Sequence, residues 1–266
     1  MTLRILTVND DGIEAQGIRE LSKSLSDIAE IYMFAPSTQK SAAGHGISIS
    51  NPLKVTKKDV PFTKEAYAVE GTPADCTKIG LHILAQKGIE IDLVCSGINH
   101  GGNLGTDTLY SGTVSAAIEG NLCGKPAIAV SVNDHNPIDF TYACELALKT
   151  AKKLGEKIKN EKEGKAAFEM KRTTLSINVP NLTYEEIKGV RYAELGPREY
   201  DEWFTPVEIE DIQEEMTAYK YTGNPVVYDN LPENNDVMLI QQGYATITPL
   251  QYNLTDKELL KSLDIL

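Results

Sequence analysis

Apolar and polar positions alternate in blocks along this chain: a short apolar run, a polar break, then an amphipathic stretch. Leu3–Val8 is the first apolar run, and it stops at Asn9-Asp10-Asp11-Gly12. Ile13–Ser26 follows with Ile18, Leu21 and Leu25 at helical spacing. Glu30–Ala35 (EIYMFA) reads as a second strand and ends at Pro36. A polar, glycine-bearing loop over residues 37–46 comes next, and Ile47–Val55 and Glu65–Val69 read as a hairpin or a pair of extended arms. Thr72–Gln86 predicts a helix, with Thr72 as N-cap and Pro73 at the first helical position. Ile91–Ser96 (IDLVCS) is a strand, Gly97–Gly112 a long glycine-rich loop, and Thr113–Cys123 a helix of small residues. Ala127–Val132 (AIAVSV), a helix near Thr141–Lys159 and a strand at Leu175–Val179 continue the order.

Alternating strands and helices predict an α/β fold, a mostly parallel sheet with helices on both faces. From about residue 181 the pattern changes. The chain becomes richer in Tyr, Pro and Glu, with shorter expected strands at Val226–Tyr228, Val237–Ile240 and Tyr244–Thr248. The expected organisation is a single domain, with a core over about residues 1–180 and a C-terminal extension over about 181–266 that packs on it and serves in oligomerisation.

Composition narrows the function. A chain of 266 residues, 41% of them hydrophobic, suits one large α/β domain. The formal net charge of −12 argues against binding a nucleic-acid polymer or an anionic membrane. It would also repel a small phosphate ester unless a local positive centre attracted it. Cys76, Cys95, Cys123 and Cys144 form no C-x-x-C pair and all lie in apolar segments. Buried free thiols in a reducing cytoplasm are therefore expected. No signal-peptide pattern and no run of membrane-spanning length is seen, so the sequons at Asn181 and Asn253 carry no meaning.

The polar breaks carry the candidate chemistry. Asn9, Asp10 and Asp11 close the first strand; Ser37, Ser41 and His45 follow the second; Ser96, Asn99, His100 and Asn103 follow IDLVCS; and Tyr110-Ser111-Gly112-Thr113 leads into a helix. If these strands are parallel, the loops gather on one edge of the sheet, where α/β proteins bind ligands. Asn9-Asp10-Asp11-Gly12 alone reads equally as a turn or as a cation site. Two adjacent carboxylates repel each other, and a hard cation such as Mg²⁺ or Mn²⁺ is the simplest compensator for carboxylate, hydroxyl and carbonyl oxygens. Lys40 is the one basic residue in these loops, so a metal would be the main positive charge. The glycine loop ahead of the Ser111/Thr113 helix start offers backbone N–H groups to an anion, although it has neither the Walker G-K-[ST] nor the G-x-G-x-x-G spacing. Ser111 and Thr113 could equally cap the helix.

Taken together, ILTVNDDGI, KSAAGHGISI, VEGTPADCTKIGL, DLVCSGINHGGNLGTDTLYSGTVSAAIEG and the late GYATITPLQYNLTD resemble the SurE family of survival proteins, nucleoside-monophosphate phosphatases, in order from residue 3 to about 256. The resemblance implies a three-layer, Rossmann-like core with a swapped C-terminal arm, and a homodimer or homotetramer. It implies divalent-metal-dependent hydrolysis of nucleoside 5′- and 3′-monophosphates through a metal-activated water, one metal ion (Mg, Mn or similar) per subunit. Metal ligands would fall on Asp10, Asp11, Ser41 and Asn99, and phosphate contacts on Asn103, Ser111, Gly112 and Thr113. Asp10 or Asp11 would accept the water's proton, and His45 is a weaker candidate for protonating the leaving oxygen. Departures at Val8 and Gln16 fall on no ligand position, while SAAGHG after Ser41 changes the neighbours of a ligand.

Two other readings compete. A receiver-type signalling module also places an acidic pair after its first strand. Its phosphoacceptor Asp should end the central strand, however, and that strand here ends Ser96-Gly97, while Lys125 precedes a strand rather than following one. A haloacid-dehalogenase-type phosphatase needs D-x-D, and here the two Asp are adjacent.

Overall fold

The computed structural model describes residues 2–160, 173–201, 204–208, 217–226, 232 and 234–262. Its centre is a nine-stranded sheet. The strands are β1 (Leu3–Val8), β2 (Ala29–Pro36), β3 (Val55–Lys58), β4 (Glu65–Val69), β5 (Leu93–His100), β6 (Ala127–Val132), β7 (Thr174–Val179), β8 (Val190–Tyr192) and β11 (Ala245–Leu250). A separate antiparallel pair is formed by β9 (Phe204–Val207) and β10 (Ala218–Tyr221). The sheet order is β3-β4-β2-β1-β5-β6-β7-β11-β8. Pairing is parallel from β4 through β7. β3 runs antiparallel to β4, and β11 antiparallel to β7.

The apolar runs are continuous because both faces of the sheet are covered. Ile5, Cys95, Ile128 and Ile177 point to one face and pack on Leu21 and Leu25 of α1 (Gln16–Leu25) and on Ala147 and Ala151 of α4 (Thr141–Asn160). Their sequence neighbours Leu6, Val94 and Ala129 point to the other face, against Cys76 and Leu84 of α2 (Pro73–Gln86) and Val114 and Ala116 of α3 (Gly112–Leu122). α2 starts as its sequence predicts: Thr72 Oγ1 accepts from the Asp75 N–H, Asp75 accepts in return from the Thr72 N–H, and Pro73 occupies the first turn.

Several expectations are corrected. β5 runs on to His100, so the glycine loop begins later than Gly97, and Gly105–Leu109 forms a 3-10 helix. Residues 47–50 are exposed and outside any strand; only Val55 of that stretch joins β3, because its neighbours have no sheet surface to cover. Val237–Ile240 is helical, within α5 (Asp236–Gln241), where the Asn235 side chain accepts the Met238 N–H as an N-cap. A four-residue apolar run does not distinguish helix from strand by period. Val226 lies outside the strands, and 227–228 lie outside the described residues. Cys123 is exposed, while Cys76, Cys95 and Cys144 are buried. The stretch after residue 181 does more than pack on a core: β8 and β11 are strands of the main sheet. A final helix, α6, spans Lys257–Ser262.

Candidate active site

The chain places β2 and β4 on one side of β1, then returns to place β5, β6 and β7 on the other. In sheets of this kind ligands bind at the carboxyl ends of the strands where the order reverses. β1 and β5 flank it in parallel register, Val8 opposite Ser96. β1 therefore delivers Asn9, Asp10 and Asp11, and β5 delivers Asn99 and His100, to the same edge.

A bulge in β5 sets Asn99. Ser96 pairs with Ala129 but Asn99 with Ser131, so Gly97 and Ile98 together oppose Val130. Such an insertion re-aims the side chains that follow. It requires glycine at position 97, where φ is +130° and a Cβ would lie 2.3 Å from the Val130 carbonyl oxygen. The Asn99 side-chain amide then donates to the Gly101 carbonyl at 2.8 Å, which orients its own oxygen the other way.

Asp10 is 6% exposed. The Thr113 hydroxyl donates to its Oδ1 at 2.5 Å, and its backbone carbonyl accepts the Lys40 N–H at 2.7 Å. A Cβ on Gly112 would sit 2.9 Å from Asp10 Oδ2, so the start of α3 abuts the carboxylate. Burial pushes the Asp10 carboxyl up from 3.8 to about 6; the Thr113 hydrogen bond pulls it down and Asp11 pushes it further up. Asp11 is more open. Burial also raises its carboxyl, against the pull of His100. The His100 N–H donates to Asp11 Oδ2 at 3.4 Å and the Gln39 amide to Oδ1 at 3.3 Å.

Asp10, Asp11 and Asn99 thus share one strand edge, with Gly112 and Thr113 against Asp10. The others are placed differently. Ser111 Oγ accepts the Val114 N–H at 3.0 Å and caps α3. Asn103 is buried, donating its amide to Ser131 Oγ at 2.7 Å and its backbone N–H to Asn178 Oδ1 at 2.8 Å, which ties the glycine loop to β6 and β7. Ser41 is exposed on the loop after β2, next to the Lys40 amide that binds Asp10.

The residues fit a hard cation. Among the described residues no Lys or Arg pairs with Asp10 or Asp11, and beside them Asn9 Oδ1 is buried without a partner. No group of three or more His, Cys, Asp or Glu placed to hold a metal ion occurs among the described residues. Two carboxylates with neutral hydroxyl and amide oxygens are the donors left, and that chemistry suits Mg²⁺ or Mn²⁺. Sequence reasoning missed His135, whose ring lies over Gly101 and whose charge lowers the Asp11 carboxyl. It also missed Glu119, although a lone charge in the helix GTVSAAIEGNL was a readable signal.

The chain as a whole is similar to known proteins. The family model described as survival protein SurE matches residues 5–202. A protein of Syntrophomonas wolfei called 5′-nucleotidase SurE is 41% identical over 260 residues, 97% of this chain and 92% of its own length. One of Alkaliphilus metalliredigens, with the same name, is 40% identical over 98% of this chain and 97% of its own. The crystal structure of the SurE protein from Aquifex aeolicus superposes with a TM-score of 0.78 at 34% identity, covering 98% of both chains.

Proposed function

Because the chain belongs to the SurE survival-protein family, we propose that it is a 5′-nucleotidase, a phosphomonoesterase that cleaves nucleoside 5′- and 3′-monophosphates to nucleoside and phosphate, and that it depends on a divalent metal. The observation that carries the reading is the adjacent pair Asp10–Asp11, paired with no Lys or Arg among the described residues, at the strand-order reversal of the sheet in a chain similar over nearly its whole length to proteins named 5′-nucleotidase SurE. A metal ion held by Asp10, Asp11, Ser41 and Asn99 would polarise a phosphoryl oxygen and lower the pKa of a water.

The chain's own residues supply the rest. Thr113 fixes Asp10 Oδ1 through its hydroxyl, so that one oxygen is oriented and the other lies beside Gly112. The capped first turn of α3 aims backbone N–H groups and the positive end of the helix at the substrate phosphate. Asn103 and Ser111 contribute by holding that turn and its loop. Asp11, the more open carboxylate, takes the proton of the attacking water; its raised pKa makes it a better base than an ordinary surface carboxylate.

We also assign the finer points of assembly and setting. The exposed aromatics Phe204, Tyr219 and Tyr221 on β9 and β10 supply a surface for a homodimer or homotetramer built by the C-terminal extension. No described helix is long and apolar enough to cross a membrane, and three buried free thiols suit the cytoplasm. The test is phosphate release from a panel of nucleoside 5′- and 3′-monophosphates, in EDTA and then with Mg²⁺ or Mn²⁺ restored. Release that stops with EDTA and returns with metal is expected. Metal-independent release, or none from any nucleotide, refutes the reading.

A further inference from the structure

Glu119 is the one charged side chain of α3 and is 3% exposed. A carboxylate buried on a helix of small and apolar groups costs several kcal/mol unless it is paired. Its pairing is specific. His45 Nε2 lies 3.0 Å from Oε2, and Lys78 of α2 donates to Oε1 at 2.9 Å. The His45 bond, then Lys78, hold the carboxyl down at about 2 against its burial, so the anchor stays charged at any working pH. Glu119 lies two turns beyond Gly112, about 10 Å along the helix. The His45 ring is therefore drawn away from the strand ends, where a leaving oxygen would need its proton.

His45 does lie on the loop that carries Ser41. That loop is fixed upstream by the Lys40 N–H on the Asp10 carbonyl. Downstream, the Gly44 N–H donates to the Tyr110 carbonyl at 3.0 Å and Ser115 Oγ donates to the Gly44 carbonyl at 2.8 Å. Further on, Ser48 is held by Asp75 through its N–H (2.9 Å) and hydroxyl (2.7 Å). Ser41 hangs between these anchors, exposed.

We propose that His45 is a positioning residue: its bond to the buried Glu119 latches the 41–46 segment onto α3 and so sets the Ser41 hydroxyl beside the Asp10–Asp11 pair. The inference rests on the reading of Ser41 as a metal ligand. His45 touches no reacting atom and acts through Ser41 alone.

The test is a calorimetric titration with Mn²⁺ at one fixed pH, without substrate, on the wild type, Ser41→Ala, His45→Ala, His45→Gln and the double variant S41A/H45A. A charge-assisted hydrogen bond of this kind corresponds to about a tenfold change in affinity. Ser41→Ala and His45→Ala should each weaken Mn²⁺ binding about tenfold, and the double variant should be no weaker than Ser41→Ala alone. His45→Gln, whose amide can donate to Glu119, should recover most of the loss. Glu119→Leu, which has no polar atom to meet His45 Nε2, cuts the same bond from the other side and should reproduce the weakening. Wild-type affinity in His45→Ala, with Ser41→Ala impaired, overturns the latch and leaves the metal site standing. Fully additive losses in the double variant also overturn it, because His45 would then act by another route. A wild type that binds no Mn²⁺ overturns the metal reading and the latch with it.

Discussion

Asp10→Asn should stabilise the metal-free protein while abolishing its activity. The native state holds the Asp10 proton more tightly than the unfolded chain does, since its carboxyl is raised from 3.8 to about 6. A raised carboxyl contributes stability that is complete below pH 4 and is lost as pH climbs through about 6. At 1.36 kcal/mol per pH unit, the interval corresponds to about 3 kcal/mol of penalty at pH 8. Asn keeps the shape and still accepts the Thr113 hydroxyl on Oδ1, so it removes the charge without opening a cavity. For a chain of this size, about 3 kcal/mol moves the melting temperature by about 5–10 °C. The assay is thermal unfolding of wild type and Asp10→Asn in EDTA at pH 8 and again at pH 4. The variant should melt higher at pH 8, and the gap should close at pH 4. Mn²⁺ should raise the wild type at pH 8 by binding only the native state and leave Asp10→Asn nearly unmoved. A variant no more stable than wild type at pH 8 in EDTA would refute the reasoning, because Asp10 would then not be the uncompensated charge described.

Further predictions follow from single contacts. Thr113→Val removes the hydroxyl that pulls the Asp10 carboxyl down, so carboxyl NMR on the metal-free protein should find that group titrating about one pH unit higher. Gly17→Ala places a Cβ 2.0 Å from the Ile98 carbonyl oxygen in the β5 bulge; urea unfolding should show a loss of about 1–3 kcal/mol, with weaker Mn²⁺ binding as Asn99 shifts. Asp236 is buried and accepts N–H groups from Gly105 (2.9 Å) and Gly196 (2.7 Å). Asp236→Ala leaves both donors unpaired and should cost about 3 kcal/mol in the same measurement.

Much of the core was legible because its strands are buried on both faces and bounded by turn residues, as Leu3–Val8 and Ala127–Val132 are. The carboxylate pair was legible because its position after β1 implies a crevice once the sheet is parallel. What could not be read were features fixed by contacts distant in sequence. The β5 bulge depends on Val130 and on Gly17, which no local pattern around Gly97 announces. Val237–Ile240 is apolar in the manner of a strand, and Asn235 decides for a helix by capping it. His45 looked like a possible proton donor until Glu119, far along the chain, took its Nε2. Ser111 and Thr113 both begin a helix, yet the first spends its hydroxyl on the Val114 N–H and the second on Asp10.

The position of β11 has a consequence for synthesis. It lies inside the sheet, between β7 and β8, and β8 pairs with β11 alone. β7 ends at Val179 and β11 begins at Ala245, so on the ribosome β7 presents an open edge until the residues between them and β11 itself have been made. At about 5–20 residues per second that edge stays bare for several seconds, and a bare apolar edge is a template for pairing with another chain. Each nascent copy therefore passes through a window in which β11 of a neighbour fits β7 as well as its own does, and crowding on a polysome would decide how often strands are exchanged.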